Sequence, residues 1–114
     1  MTYKGRSEQS ERFGLKQSVL NEIMGVFRKV SNIEEAILYG SRAKGTYKPG
    51  SDVDVVLKGD RLSLRDINKI ILDLDDLNLL YTFDVSIYHH IDNPELIEHI
   101  KRVGKNIYKR QIVL

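Results

Sequence analysis

Two aspartates separated by a single valine, Asp52-Val53-Asp54, stand ten residues after a Gly40-Ser41 pair in the stretch YGSRAKGTYKPGSDVDVVL, residues 39–57. On an extended chain, residues two apart share a face, which sets the two aspartate Cα atoms roughly 6.5 to 7 Å apart with both carboxylates projecting to one side. Carboxylates held side by side repel unless something positive lies between them. Hard divalent cations take oxygen ligands, and Mg2+ characteristically uses one or two carboxylates plus substrate phosphates instead of a full protein cage. A third acid on the polar face of a neighbouring strand would let two metal ions sit about 3.5 to 4 Å apart and clamp an in-line phosphoryl displacement. Asp84, in the alternating run TFDVSIYHH, is placed for that role.

The turn upstream supplies what such a site needs for a nucleotide. Gly40 has no side chain to block a phosphate, and Ser41 offers a hydroxyl and a backbone N–H. A short helical turn over 41–44 would aim free N–H groups at an anion. Arg42 and Lys44 would add positive charge beside a triphosphate, while Gly45 and Pro49-Gly50 bring the chain back toward the aspartates. Gly-Ser and Asp-x-Asp are each common in turns. With Gly and Ser near 7% and Asp near 5%, all four positions coincide at set spacing by chance in roughly one such chain per thousand. The stretch therefore reads as a phosphate grip joined to a metal clamp.

The elements that must hold these residues are legible in the apolar spacing. Leu15, Val19, Leu20, Ile23, Met24, Phe27 and Val30 line one face of a first helix, weakened slightly by Gly25. EAILY, residues 35–39, is a short strand running into Gly40, and residues 52–57 form a second. Ser63 caps a helix with Asp66 three residues on, in the manner of a capping box. Leu64, Ile67, Ile70, Ile71, Leu74 and Leu77 make its buried stripe. Residues 82–90 alternate as a half-buried strand: Phe83, Val85 and Ile87 point one way, and Thr82, Asp84, Ser86 and Tyr88 the other. Asn93-Pro94 starts a last helix with Leu96, Ile97, Ile100 and Val103 on its apolar face, ended by Gly104. The tail 106–114 is apolar enough to pack as a final extended segment. The order helix, strand, strand, helix, strand, helix predicts an α/β (α+β) domain, a small mixed sheet with helices covering one of its faces.

The 114 residues give room for one domain and one core. The expected organisation is a flexible segment over 1–14 and a single domain over 15–114. A net charge of +2, from 18 basic and 16 acidic residues, argues against stable binding to long nucleic acid or to membrane surfaces. The absence of cysteine excludes disulfides, thiolate zinc sites and cysteine nucleophiles. No apolar run approaches spanning length and the start, MTYKGRSEQSER, is not signal-like, so a cytoplasmic location is expected. His89 and His90 would face opposite ways on a strand and make a poor metal pair. His99 lies beside the apolar positions of the last helix, and all three histidines read as structural or solvated. Lys101, Arg102, Lys105, Lys109 and Arg110 form a solvated basic face, available as a docking surface for an acidic partner.

The string Gly40-Ser41, ten residues, Asp52-Val53-Asp54, with Arg42-Ala43-Lys44-Gly45 inside it, resembles the signature of the nucleotidyltransferase superfamily that includes DNA polymerase beta. The small size is similar to that of the minimal nucleotidyltransferases that serve as antitoxins to HEPN-type toxins. The similarity runs from about Leu15 to Tyr108, with FDVSIY and NPELIEHIKRVGKNIY fitting the same family. The resemblance implies Asp52 and Asp54 as Mg2+ ligands, Asp84 as the third carboxylate near the attacking hydroxyl, and Gly40 and Ser41 holding the β- and γ-phosphates. It further implies ATP as donor, a tyrosine hydroxyl of a partner HEPN toxin as acceptor, and a hetero-oligomer of the two proteins. Two other readings stay open: a non-catalytic module that neutralises its partner by contact, and a small-molecule transferase of the antibiotic-modifying type that needs a second subunit.

Overall fold

The computed structural model describes residues 11–111. Four strands form one mixed sheet: β3 (Glu35–Tyr39), β4 (Val53–Lys58), β5 (Phe83–Ile87) and β6 (Lys105–Lys109), in the spatial order β5-β4-β3-β6. β3 lies antiparallel to both β4 and β6, and β4 lies parallel to β5. Parallel neighbours cannot be joined by a tight turn, and the crossover between β4 and β5 is the helix α3 (Leu64–Asp76). The remaining helices are α1 (Gln17–Arg28), the short α2 (Gly40–Lys44) and α4 (Pro94–Val103). No helix among the described residues is long and apolar enough to cross a membrane.

Alternation along the central strands separates two cores. Leu38, Val53, Val55 and Leu57 point to one face and pack under α1 and α3, against Leu20, Ile23, Phe27, Ile67, Ile70 and Leu74. Ile37, Tyr39 and Val56 point to the other and meet Ile100 of α4, with Leu96, Tyr88 and Ile91 at the margin. The helices thus cover both faces, where the sequence predicts one. The reason is visible in AILY and VVL: runs without polar alternation bury on both sides.

The helix caps follow the sequence. Ser63 Oγ accepts from the Asp66 N–H while the Ser63 N–H donates to the Asp66 carboxylate. Asn93 Oδ1 accepts from the N–H groups of Glu95 and Leu96, with Pro94 at the first helical position. On α3 the buried stripe is narrower than predicted, since Leu64 and Ile71 are exposed and only Ile67, Ile70 and Leu74 are fully covered.

Several boundaries differ from the sequence reading. Leu15 is buried but extended: β1 (Glu11–Arg12) and β2 (Leu15–Lys16) make a small hairpin before α1. Its turn residues, Phe13 and Gly14, both have positive φ, at 60° and 73°, as a tight two-residue hairpin turn demands. Burial of Leu15 satisfied the helical spacing without requiring a helix. Of the segment expected to be loose, 11–14 is therefore held in this hairpin, and 1–10 lies outside the described residues. β5 stops at Ile87, whose partner Leu57 lies next to the last residue of β4; beyond the end of that strand nothing remains to pair with, and Tyr88–His90 turn as a 3-10 helix. The tail does add a strand, β6, as expected, with a register shift opposite Ala36 and Ile37; residues 112–114 lie outside the described residues.

Candidate active site

The sheet register brings the predicted acids together. Tyr39 on β3 pairs with Asp54 on β4, and Asp54 pairs in turn with Asp84 on β5. Directly opposed residues point to the same face, so Asp54 and Asp84 stand side by side on the α4 side of the sheet. Asp52 stands just before β4, two residues from Asp54 and exposed to solvent.

Asp54 feels the other two carboxylates. The Asp54 carboxyl is pushed above the ordinary carboxylate range, first by burial and then by the negative charges of Asp84 and Asp52. Among the described residues the ion pairs are Lys69–Asp73 and Arg102–Glu98, and none of the three acids takes part in one. Nor do three His, Cys, Asp or Glu side chains among the described residues converge into a ready-made metal cage. Asp54 and Asp84, paired across the sheet, with Asp52 two residues from Asp54, offer oxygen donors of the kind that Mg2+ takes together with water and substrate oxygens. Crowded, unpaired carboxylate oxygens are the hard donors such an ion takes.

Tyr39 shares this environment. Its phenol is pushed above the ordinary tyrosine value by burial, and further by the charges of Asp84 and Asp54, while Ser86 draws it part of the way back. The Ser86 hydroxyl is buried and meets no hydrogen-bond partner among the described residues.

Gly40 sits against Asp54. Its φ is +74°, and a Cβ at this position would overlap the Asp54 carboxylate. Both conditions exclude other residues, so the glycine is what lets the turn close over the acid. Ser41, half-buried, follows at the start of α2, and the turn is drawn tight where the N–H groups of Gly45 and Thr46 both donate to the Ser41 carbonyl. Lys44 is exposed at the end of α2.

Arg42 requires a correction. It is only 2% exposed, and its guanidinium donates to the carbonyls of Phe13, Pro49 and Ser51 at 2.9 to 3.5 Å while lying over the rings of Tyr47 and Tyr81. A buried cation must have its donors satisfied, and the backbone satisfies them here. Arg42 thus bolts the hairpin turn and the 45–51 loop to α2 instead of facing a phosphate. Gly14 belongs to the same bolt, because a Cβ there would strike the Arg42 guanidinium and the Tyr47 ring.

His99 is the residue that the sequence reading passed over. Its Nε2 accepts a hydrogen bond from the Gly40 N–H at 3.1 Å, and its ring meets Tyr39 edge-on with centroids 6.1 Å apart. A signal was available: Leu96, His99, Ile100 and Val103 are spaced three and four apart, which puts His99 within the apolar stripe of α4 and not beside it.

Residues 21–112 match the family model for polymerase beta nucleotidyltransferases. The chain belongs to the polymerase beta nucleotidyltransferase family. No curated protein sequence matches it. Among solved structures, this nucleotidyltransferase resembles a toxin–antitoxin complex with AMP-PNP, at 20% identity and a TM-score of 0.65, over 81% of this chain and 74% of the other. It also resembles a Shewanella oneidensis MNT antitoxin in complex with a tri-AMPylated HEPN toxin, at 16% identity and a TM-score of 0.62, over 82% and 72% of the two chains. The toxin–antitoxin pair MntA–HepT matches at 16% identity and a TM-score of 0.61, over 83% and 74%. At these identities the likeness establishes a shared nucleotidyltransferase fold.

Proposed function

We propose that this nucleotidyltransferase moves AMP from ATP onto a hydroxyl of a partner protein, a tyrosine of a HEPN-type toxin, and so acts as an antitoxin. The observation that carries the reading is the row Tyr39, Asp54, Asp84 across three strands, with Gly40 closed over Asp54. Support for the donor and the partner comes from the fold neighbours, one holding AMP-PNP and one an AMPylated HEPN toxin. In this reading the chain's own residues do three things. Gly40 and Ser41 hold the β- and γ-phosphates, the former by offering no side chain and the latter by its hydroxyl and N–H. Asp84, exposed at the margin of the site, accepts the proton of the attacking hydroxyl. Asp52 and Asp54, with Asp84, would hold Mg2+. When bound, Mg2+ supplies neutralisation of the charge that develops on the phosphoryl oxygens and on the leaving pyrophosphate. The acceptor oxygen bonds to the α-phosphorus as the bond from that phosphorus to the bridging oxygen of pyrophosphate breaks.

The test is intact-mass spectrometry of a HEPN-type toxin after incubation with this protein, Mg2+ and each nucleoside triphosphate in turn. Whole nucleotide units added by wild type and not by Asp52→Asn are expected, with ATP the preferred donor. A stable complex with no mass gain, formed equally by Asp52→Asn, would replace transfer by inhibition through contact.

A further inference from the structure

Gly40 begins the turn with a backbone that is free to pivot, yet its position decides how close the turn comes to Asp54. Glycine loses more conformational freedom on ordering than any other residue, so something must hold it. Among the described residues, two side chains tie the 40–44 turn to the rest of the chain by hydrogen bonds, beside the packing of Ala43 on the main core. Arg42 fixes its middle to the N-terminal hairpin and the following loop. His99, 59 residues away in sequence, fixes its first peptide.

The platform behind His99 is firm. α4 is capped by Asn93, its Ile100 is buried against Ile37, Tyr39 and Val56, and the chain passes through Gly104 into β6, which pairs with the very strand that leads to Gly40. The ring itself is steadied edge-on by Tyr39. An Nε2 that accepts a hydrogen bond carries no proton, so the neutral ring bears its proton on Nδ1. The hydrogen bond also takes the Gly40 N–H away from any ligand, which leaves Ser41 as the first residue of the turn whose N–H has no partner among the described residues.

We propose that His99 is a positioning residue for nucleotide transfer: by accepting the Gly40 N–H it fixes the first peptide of the phosphate-holding turn over Asp54 before the nucleotide arrives. This rests on the transferase reading for its consequence, though not for its geometry. Fixing donors in advance removes reorganisation from the reaction, and one such group misplaced is enough to slow it.

Two substitutions separate the acceptor from the ring. His99→Phe keeps an aromatic edge for Tyr39 and cannot accept; His99→Gln brings an amide oxygen to about the reach of Nε2 and has no ring. In His99→Phe, kcat/KM for ATP should fall by about tenfold, the worth of one partly buried hydrogen bond, with KM for the partner protein unchanged. His99→Gln should recover most of that loss. In nitrogen-15-labelled wild-type protein, a scalar coupling between the Gly40 amide nitrogen and His99 Nε2 should report the bond directly. Equal activity of His99→Phe and wild type, equal impairment of both variants, or a loss shared by both substrates in step with a lowered Tm would each overturn the proposal.

Calorimetric binding of ATP to the same three proteins distinguishes this failure from that of the function. If wild type binds ATP without transferring it and His99→Phe binds more weakly than His99→Gln, the positioning role stands and transfer falls. If the three proteins bind alike, or none binds, positioning falls as well.

Discussion

On β4, neighbouring residues belong to two different proteins in the functional sense. Val53, Val55 and Leu57 lie under α1 and α3 and are essentially without solvent contact, while Asp54, between them, faces the other way into a crowd of unpaired carboxylates. One face is packed throughout, while the other combines the small core of Val56, Tyr39 and Ile100 with the repulsion at Asp54. Such repulsion persists where the surrounding structure supplies the cohesion.

The sharpest way to test that division is at Asp54. Asp54→Asn keeps the shape and removes the charge, so transfer should fall on the order of a thousandfold as a group at the centre of the phosphoryl chemistry is lost. Tm at neutral pH should hold or rise slightly, because burial and the charges of Asp84 and Asp52 already disfavour the ionised carboxyl. Differential scanning calorimetry beside a transfer assay reads both. A large drop in Tm would mean that Asp54 contributes to the fold and that the two faces are not separable.

The complementary substitution is Leu57→Ala, three residues along the same strand on the opposite face. Deleting a fully buried leucine side chain should cost about 3 kcal/mol. For a domain of this size that lowers Tm on the order of 10 to 20 °C. Transfer per folded molecule, assayed well below the transition, should stay within about threefold of wild type, since loss of packing at a distance does not touch the reacting groups. A hundredfold loss of activity in a folded Leu57→Ala protein would break the comparison from the other side.

The same division governs what could be read from the sequence. The alternation in SDVDVVL, the capping residues Ser63 and Asn93, and the Gly-Ser turn are local signals, and each lies where its spacing puts it. The acids come together because the pattern of Phe83, Asp84 and Val85 fixes which side of β5 faces the site. Arg42 and His99 were misplaced for a common reason: each is defined by contacts to backbone far off in the chain, Arg42 to Phe13 and His99 to Gly40. A basic residue inside a Gly-Ser turn suggests phosphate, and only the path of the hairpin past it reveals that its donors are already taken. The placement of the last helix on the second face was hidden likewise, because AILY gives burial on both sides without naming the partner.

The smallest expected effect is the pH dependence of the same carboxyl, and its sign follows from the crowding. Unfolded, Asp54 titrates near its ordinary value of 3.8; folded, it titrates higher. Between those two values the folded protein holds the extra proton, so the group's contribution makes the fold less stable as pH rises through that window, and the contribution levels off above the folded value. Asp54→Asn lacks the group, so the Tm of wild type should decline relative to the variant across the window and run parallel to it above. Transfer should move the other way. In the proposed transfer reaction the metal would need the ionised carboxylate, so kcat/KM should climb with pH over the range in which wild type loses its relative stability. Melting curves and rates collected from about pH 4 to 8 that moved in the same direction would show that the proton on Asp54 is not what links the two faces.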